Sequence, residues 1–234
     1  MQKLIDYSRE LGLELDKTTL ERFDAYMKLV IEWNEKINLT SITEHDEFIV
    51  KHFCDSISLL GNVELKKGAK VIDIGTGAGF PAIPLKIVRP DLEITMLDSL
   101  NKRLVFISDE VLPALGLEAD VIHARAEELS KDKKYRESFD AAVSRAVANL
   151  SALSEYCLPF VKVGGTFAAM KGPDCDNEVN VAANAIELLG GECIDIKRFD
   201  LPDGSTRCIA VIEKTKPTPA KYPRRGVKIS KSPL

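Results

Sequence analysis

The chain predicts an α/β fold: a mostly parallel seven-stranded sheet with an antiparallel terminal hairpin, preceded by amino-terminal helices. Three observations carry this. Residues 71–79 read Val-Ile-Asp-Ile-Gly-Thr-Gly-Ala-Gly, a β-favouring apolar strand running into glycines. From about Val63 onward, short apolar strands alternate with helical stretches, as successive βαβ units require. Near the end, strands 192–199 and 207–214 are joined only by a turn at Asp203-Gly204, too little chain for a parallel crossover.

The elements follow in order. Residues 1 to about 60 read as helical: Thr18-x-x-Glu21 forms a capping box, and Leu20, Phe23, Met27 and Val30 or Ile31 recur along one helix face. A second helical stretch places His52 and Asp55 one turn apart. Strands are expected at 71–74, 93–98, 119–123, 139–143 and 166–170, with helices at about 84–88, 104–115, 150–160 and 177–189, the last stopped by Gly190-Gly191. Three regions result: an amino-terminal helical extension over 1–62, a core over 63–214 and a basic tail over 215–234.

The glycine spacing separates two kinds of ligand. A dinucleotide fingerprint, G-x-G-x-x-G, needs a third glycine for close helix packing and free N–H groups to hold a pyrophosphate. Here Gly75, Gly77 and Gly79 are followed by Phe80 and by Pro81, which has no N–H. A ligand without phosphates fits better, and D-x-G-x-G-x-G over Asp73 to Gly79 resembles the first motif of S-adenosylmethionine-dependent methyltransferases. The terminal hairpin suits the Rossmann-like class I methyltransferases in the same way.

Composition bounds the rest. Hydrophobic content of 45% and charged content of 29% are those of an ordinary soluble domain, and the length of 234 residues fits one domain with an appendage. No secretory or membrane-spanning stretch is read, so the expectation is a cytoplasmic protein. The five scattered cysteines are expected reduced and buried, and no His/Cys spacing suggests a metal. Net charge is -4, yet the segment from Lys214 to the end carries seven basic and no acidic residues. Such a tail suits contact with phosphate at one place; its alternative is a solvated, disordered end.

Candidate site residues lie at strand exits, where this fold binds ligands. Asp98, about 20 residues past the loop, suits a pair of ribose hydroxyls, or is a surface turn residue. Ala126 and Glu127 could offer a backbone N–H to adenine N1 and a carboxylate to its amine, although Glu127 could instead cap a helix. Arg145 follows the fourth strand, where methyl group and acceptor meet; it could hold the cofactor's carboxylate, guanine O6 or a phosphate. Lys171 is a weaker candidate for that wall. His52 and Asp55 read as a buried hydrogen-bonded pair. Ser-Arg-Ala-Val stands where amine methylases show Asn/Asp-Pro-Pro-aromatic, and there is no Pro-Cys nucleophile. An acceptor nucleophilic without help, such as guanine N7, is left, requiring positioning rather than a general base.

These motifs together resemble the bacterial ribosomal RNA small subunit methyltransferase G family, also called glucose-inhibited division protein B. The matching residues are 71–85 with Gly-Phe-Pro, Asn38-Leu39-Thr40, His52-x-x-Asp55-Ser56, Arg125-Ala126-Glu127, Ser144-Arg145-Ala146 and Tyr222-Pro223-Arg224-Arg225. The resemblance implies methyl transfer from S-adenosylmethionine to N7 of one guanine in the 530 loop of 16S rRNA, conventionally position 527. It implies cofactor roles for Gly75, Phe80, Ala126, Glu127 and Arg145, beside Gly77, Gly79 and Asp98. The expected RNA-binding residues are Lys221, Arg224, Arg225, Lys228 and Lys231. The expected partner is 16S rRNA, within the small subunit or an assembly intermediate, and the protein is expected to be a monomer. The rivals are a small-molecule methyltransferase, which leaves the basic tail without a purpose, and a non-catalytic assembly factor retaining the fold.

Overall fold

Seven strands form one sheet in the order β3-β2-β1-β4-β5-β7-β6. They are β1 (Lys70–Ile74), β2 (Glu93–Asp98), β3 (Asp120–His123), β4 (Phe139–Arg145), β5 (Val161–Lys171), β6 (Gly191–Asp200) and β7 (Thr206–Lys214). Strands β1 to β5 pair in parallel, and β7 runs antiparallel to both neighbours, as the short turn demanded. The computed structural model describes residues 1–145 and 148–234; Ala146 and Val147 of the Ser-Arg-Ala-Val stretch lie outside the described residues.

The strand order reverses between β1 and β4, so the carboxyl ends of those two strands flank the crevice of the sheet. Central strands are buried on both faces, which is why β1 and β2 read as continuous apolar runs rather than alternating ones.

One face packs on the amino-terminal helices α1 (Gln2–Glu10) and α2 (Lys17–Asn34). Leu4, Phe23, Met27 and Val30 share one apolar cluster with Val71, Ile83 and Met96. Helix α2 begins before the expected capping box: its cap is Asp16, whose carboxylate accepts the Thr19 N–H at 2.7 Å. The next helical stretch is continuous, α3 (His45–Phe48) running through a π-helical turn, Ile49–Cys54, into α4 (Asp55–Asn62). That wider turn carries His52. Helix α5 (Ala82–Val88) follows the glycine loop, and α6 (Asn101–Val105) and α7 (Leu112–Leu115) flank a second π-helical segment.

The opposite face is covered by α9 (Leu150–Cys157) and α10 (Cys175–Leu188), with Leu153, Cys157, Ala182 and Ile186 in a second cluster beside Ile72 and Phe167. A short α8 (Ala126–Leu129) follows β3.

One sequence expectation is corrected here, and one open alternative is decided. The cysteines are not all reduced: Cys175 and Cys208 form a disulfide, their Cα atoms 6.4 Å apart. Pairing of Lys171 with Cys208 sets β7 beside the exit of β5, and the few residues leading into α10 bring Cys175 back to it. The tail is not a solvated arm either. After β7, Arg136 donates to the Thr218 and Tyr222 carbonyls, and Glu137 accepts the Thr218 N–H at 2.6 Å. The chain then ends in α11 (Gly226–Lys231), which packs near α9.

Candidate active site

The glycine loop is held from below. Gly75, Gly77 and Gly79 all adopt positive φ, at 74°, 60° and 106°, the region where a side chain is strained. A Cβ on Gly79 would also meet Ile83 at 2.6 Å and the Tyr26 hydroxyl at 2.9 Å. That hydroxyl reaches up from α2 to donate to the Ala78 carbonyl at 2.7 Å. Beneath lies Asp73, fully buried, accepting from the Thr76 hydroxyl at 2.6 Å. Burial pushes its carboxyl up to about 7.

Five of the loop's donors are already committed. The Gly75 and Thr76 N–H groups go to the Leu97 carbonyl, Gly77 N–H to Asp98, and Gly79 and Phe80 N–H to the Thr76 carbonyl. Pro81 has none. The turn therefore presents bare backbone, without the row of free donors a pyrophosphate requires.

Above it opens a cleft of about 760 Å³, within the range for a small ligand. Gly75, Gly77, Phe80, Asp98, Ala126, Glu127 and Arg145 all line it, while Gly79 does not, so the structure gathers residues spread over four strand exits. Asp98 accepts the Gly77 and Leu100 N–H groups at 2.9 and 2.8 Å, which aims its carboxylate along the cleft floor. Glu127 lies in the first turn of α8, buried but bordering the cleft.

At the other end, β4 delivers Arg145 into a cage. Its guanidinium donates to the Lys51 carbonyl at 3.0 Å, to Asp55 at 3.1 Å and to His52 Nδ1 at 3.2 Å, and lies 5.0 Å from the Phe80 ring centre. His52 stacks on that ring at 4.4 Å with only 12° between planes. A guanidinium can only donate, so Nδ1 is the acceptor and Nε2 carries the proton, which it gives to Thr40 Oγ1 at 2.8 Å. Burial, then the charge of Arg145, lowers His52 to about 3, keeping the imidazole neutral. Asp55 is pushed up by burial against the opposing pull of Arg145 and of Arg207, whose Nε lies 3.6 Å away. His52 and Asp55, expected as a pair, are instead joined through Arg145.

Other expected residues lie elsewhere. Lys171 does not line the cleft: it is bound to Glu178 at 2.8 Å and, from behind, to the carbonyl of the lining residue Ala148. Arg224 is clamped by Glu155, a fully buried carboxylate, through its backbone N–H at 2.7 Å and its guanidinium at 2.6 to 3.0 Å. Lys221, Arg225, Lys228 and Lys231 are exposed. Gly226, Val227 and Ser230 line the cleft.

Sequence reasoning missed Tyr26, Arg207, Glu155 and Val227. Tyr26 had a signal, a polar-tipped aromatic on the apolar face of α2, three residues after Phe23. The others had none, because the groups they meet are 69 or more positions distant in the chain.

Comparison with known proteins agrees with this geometry. Solved structures of TrmN from Thermus thermophilus (20% identity, TM-score 0.53, covering 68% of this chain and 48% of that one) and of M. jannaschii TYW2 in complex with AdoMet (15%, 0.51, 64% and 70%) share the fold. The profile described as GidB, rRNA small subunit methyltransferase G, matches residues 19–205. Curated proteins named ribosomal RNA small subunit methyltransferase G are similar over nearly their whole length. That of Alkaliphilus metalliredigens is 49% identical over 233 residues, covering 99% of this chain and 97% of its own, and that of Clostridium novyi 48% over 229, covering 97% and 94%. The chain belongs to the rRNA small subunit methyltransferase G family.

Proposed function

We propose that this methyltransferase transfers a methyl group from S-adenosylmethionine to N7 of a guanine in the 530 loop of 16S rRNA, within the small ribosomal subunit or an assembly intermediate, as a cytoplasmic monomer. The observation that carries the acceptor is the state of His52. Both imidazole nitrogens are committed, one to Arg145 and one to Thr40, and the ring is neutral, so the one histidine among the described residues lining the cleft has no lone pair free to take a proton. Guanine N7 asks for none: its lone pair lies in the ring plane and carries no hydrogen.

The residues fit the donor. A turn most of whose N–H groups are committed suits a phosphate-free ligand, Asp98 suits its ribose, and Ala126 with Glu127 suits its adenine. When bound, S-adenosylmethionine supplies an electrophilic methyl carbon on a positively charged sulfur. The protein contributes alignment and exclusion of water, effects that reach about 7 to 11 kcal/mol in favourable intramolecular cases. Phe80 and Arg145 form the wall at the acceptor end, Arg145 serving the guanine or the donor's carboxylate. A looped guanine leaves its stack more cheaply than a paired one.

RNA contact falls to Lys221, Arg225, Lys228 and Lys231; Arg224 is withdrawn from that set by Glu155. Because the tail also packs on the core, its charge no longer argues against a small-molecule acceptor. Mapping N7-methylguanine in 16S rRNA from cells with and without the gene decides: one modified guanine lost with the gene is expected, and identical maps overturn the reading. The same maps separate an enzyme from a non-catalytic assembly factor.

A further inference from the structure

Resting on the donor reading above, we infer that the carboxyl-terminal helix α11 is a wall of the donor pocket, held there by a buried latch, and that Val227 is its ligand-contacting side chain.

Four observations support it. First, α11 is docked by groups that have no other outlet. Glu155 is fully buried and gives its carboxylate to Arg224, two residues before the helix; Lys214 is fully buried and is bound by Glu137, the Leu158 carbonyl and Thr218. Buried charges of this kind are held only when paired, so the run from Lys214 to Arg224 is pinned to the core at Lys214, Thr218, Tyr222 and Arg224. Second, the helix abuts the site's own carboxylate: a Cβ on Gly226 would collide with Glu127 Oε1. Third, Gly226, Val227 and Ser230 border the same cleft as Asp98 and Glu127. Fourth, Val227 is 68% exposed, as great as any large apolar side chain among the described residues, while Ile229 on the same helix is fully buried. One side chain anchors the helix, and the other is left uncovered at the mouth of a cleft sized for a nucleoside.

The chemistry that would cover Val227 is an apolar, flat face: the purine of the donor, whose polar edge points to Ala126 and Glu127. The tail then has two surfaces. Val227 closes the nucleoside end of the pocket, and the exposed Lys228 and Lys231 stand at solvent, where phosphate can be met. Losing the helix should therefore weaken the donor itself, in the absence of any RNA.

The test is calorimetric binding of S-adenosylhomocysteine to purified protein without RNA, for the full chain, for the chain truncated after Arg225, and for Lys228→Ala/Lys231→Ala. The truncation keeps the Arg224 to Glu155 latch, so folding is preserved, and circular dichroism verifies it. Uncovering one face of a purine is expected to raise the dissociation constant about tenfold, while the double lysine variant stays within about twofold of the full chain. Val227→Asp, which keeps the helix but places a charge on that face, is expected to follow the truncation. Equal affinity in the full chain and the folded truncation overturns the inference. So does an equal loss in the lysine variant, which would make the effect one of charge. If the full chain binds no S-adenosylhomocysteine at all, the donor reading fails instead.

Discussion

Replacing Arg224 by alanine distinguishes a structural arginine from an RNA-binding one. Arg224 is 14% exposed and its partner Glu155 is fully buried, receiving the Arg224 backbone N–H and both ends of its guanidinium. Removing the guanidinium leaves the Glu155 carboxylate buried with only the backbone N–H. Stranding one partner of a buried pair typically costs about 3–5 kcal/mol. For a chain of this size each kcal/mol moves the melting temperature by roughly 2–4 °C, so a fall of roughly 6–20 °C is expected. The assay is thermal unfolding followed by circular dichroism, with Lys228→Ala as an exposed control expected to change stability by about 0.5 kcal/mol or less. Glu155→Met combined with Arg224→Met removes both charges and is expected to recover most of the loss, since apolar replacement of a buried pair is often neutral. An Arg224→Ala melting shift no larger than the control's, together with a salt slope of RNA binding reduced by about one, would show that Arg224 faces phosphate and refute the latch.

Other outcomes can be checked in the same preparations. His52 is held well below its ordinary value in the folded chain, so the unfolded chain binds the extra proton; its own contribution to stability is expected to fall as pH drops from about 6.5 towards 3, by up to about 1.4 kcal/mol per pH unit, read in urea titrations as the difference in slope between the unaltered chain and His52→Gln. Asp73 is raised to about 7, so the folded chain holds the extra proton and its contribution to stability falls as pH rises from about 4 to 7, opposing that of His52; Asp73→Asn should remove this contribution and leave a steeper rise of stability with pH in urea titrations, and an unchanged profile would place the carboxyl in its ordinary range. Gly79→Ala adds a Cβ against Ile83 and the Tyr26 hydroxyl at a φ of 106°, and should weaken S-adenosylhomocysteine binding and lower stability by about 1–3 kcal/mol, measured by calorimetry and melting. Arg145→Ala should lower turnover on RNA more than Lys228→Ala does; equal losses would mean the caged position is not special.

Residues near one another in sequence announced themselves. The strand and glycine turn from Val71 to Gly79, the carboxylate closing β2 and the Asp203-Gly204 hairpin were legible because each is a local pattern of propensity and spacing, and β2 was placed at 93–98 as observed. Helix starts were less so: Asp16 displaced Thr18 as the cap of α2, since both are good caps and the packing of Phe23 and Met27 set the phase. Pairs joined across the fold were not legible. Nothing in the order of residues couples Cys175 to Cys208 until β7 lies against β5, or Arg224 to Glu155 until the tail turns back.

By itself, then, the sequence determined the layering of the sheet and the kind of ligand its first turn can accept, because backbone sterics and glycine spacing act within a few residues. Only the tertiary structure decided which charges are free. It took Arg224 and Lys171 into ion pairs, committed both nitrogens of His52, and laid the basic tail over the cleft, since the availability of a charged group depends on burial and on partners that folding brings from distant segments.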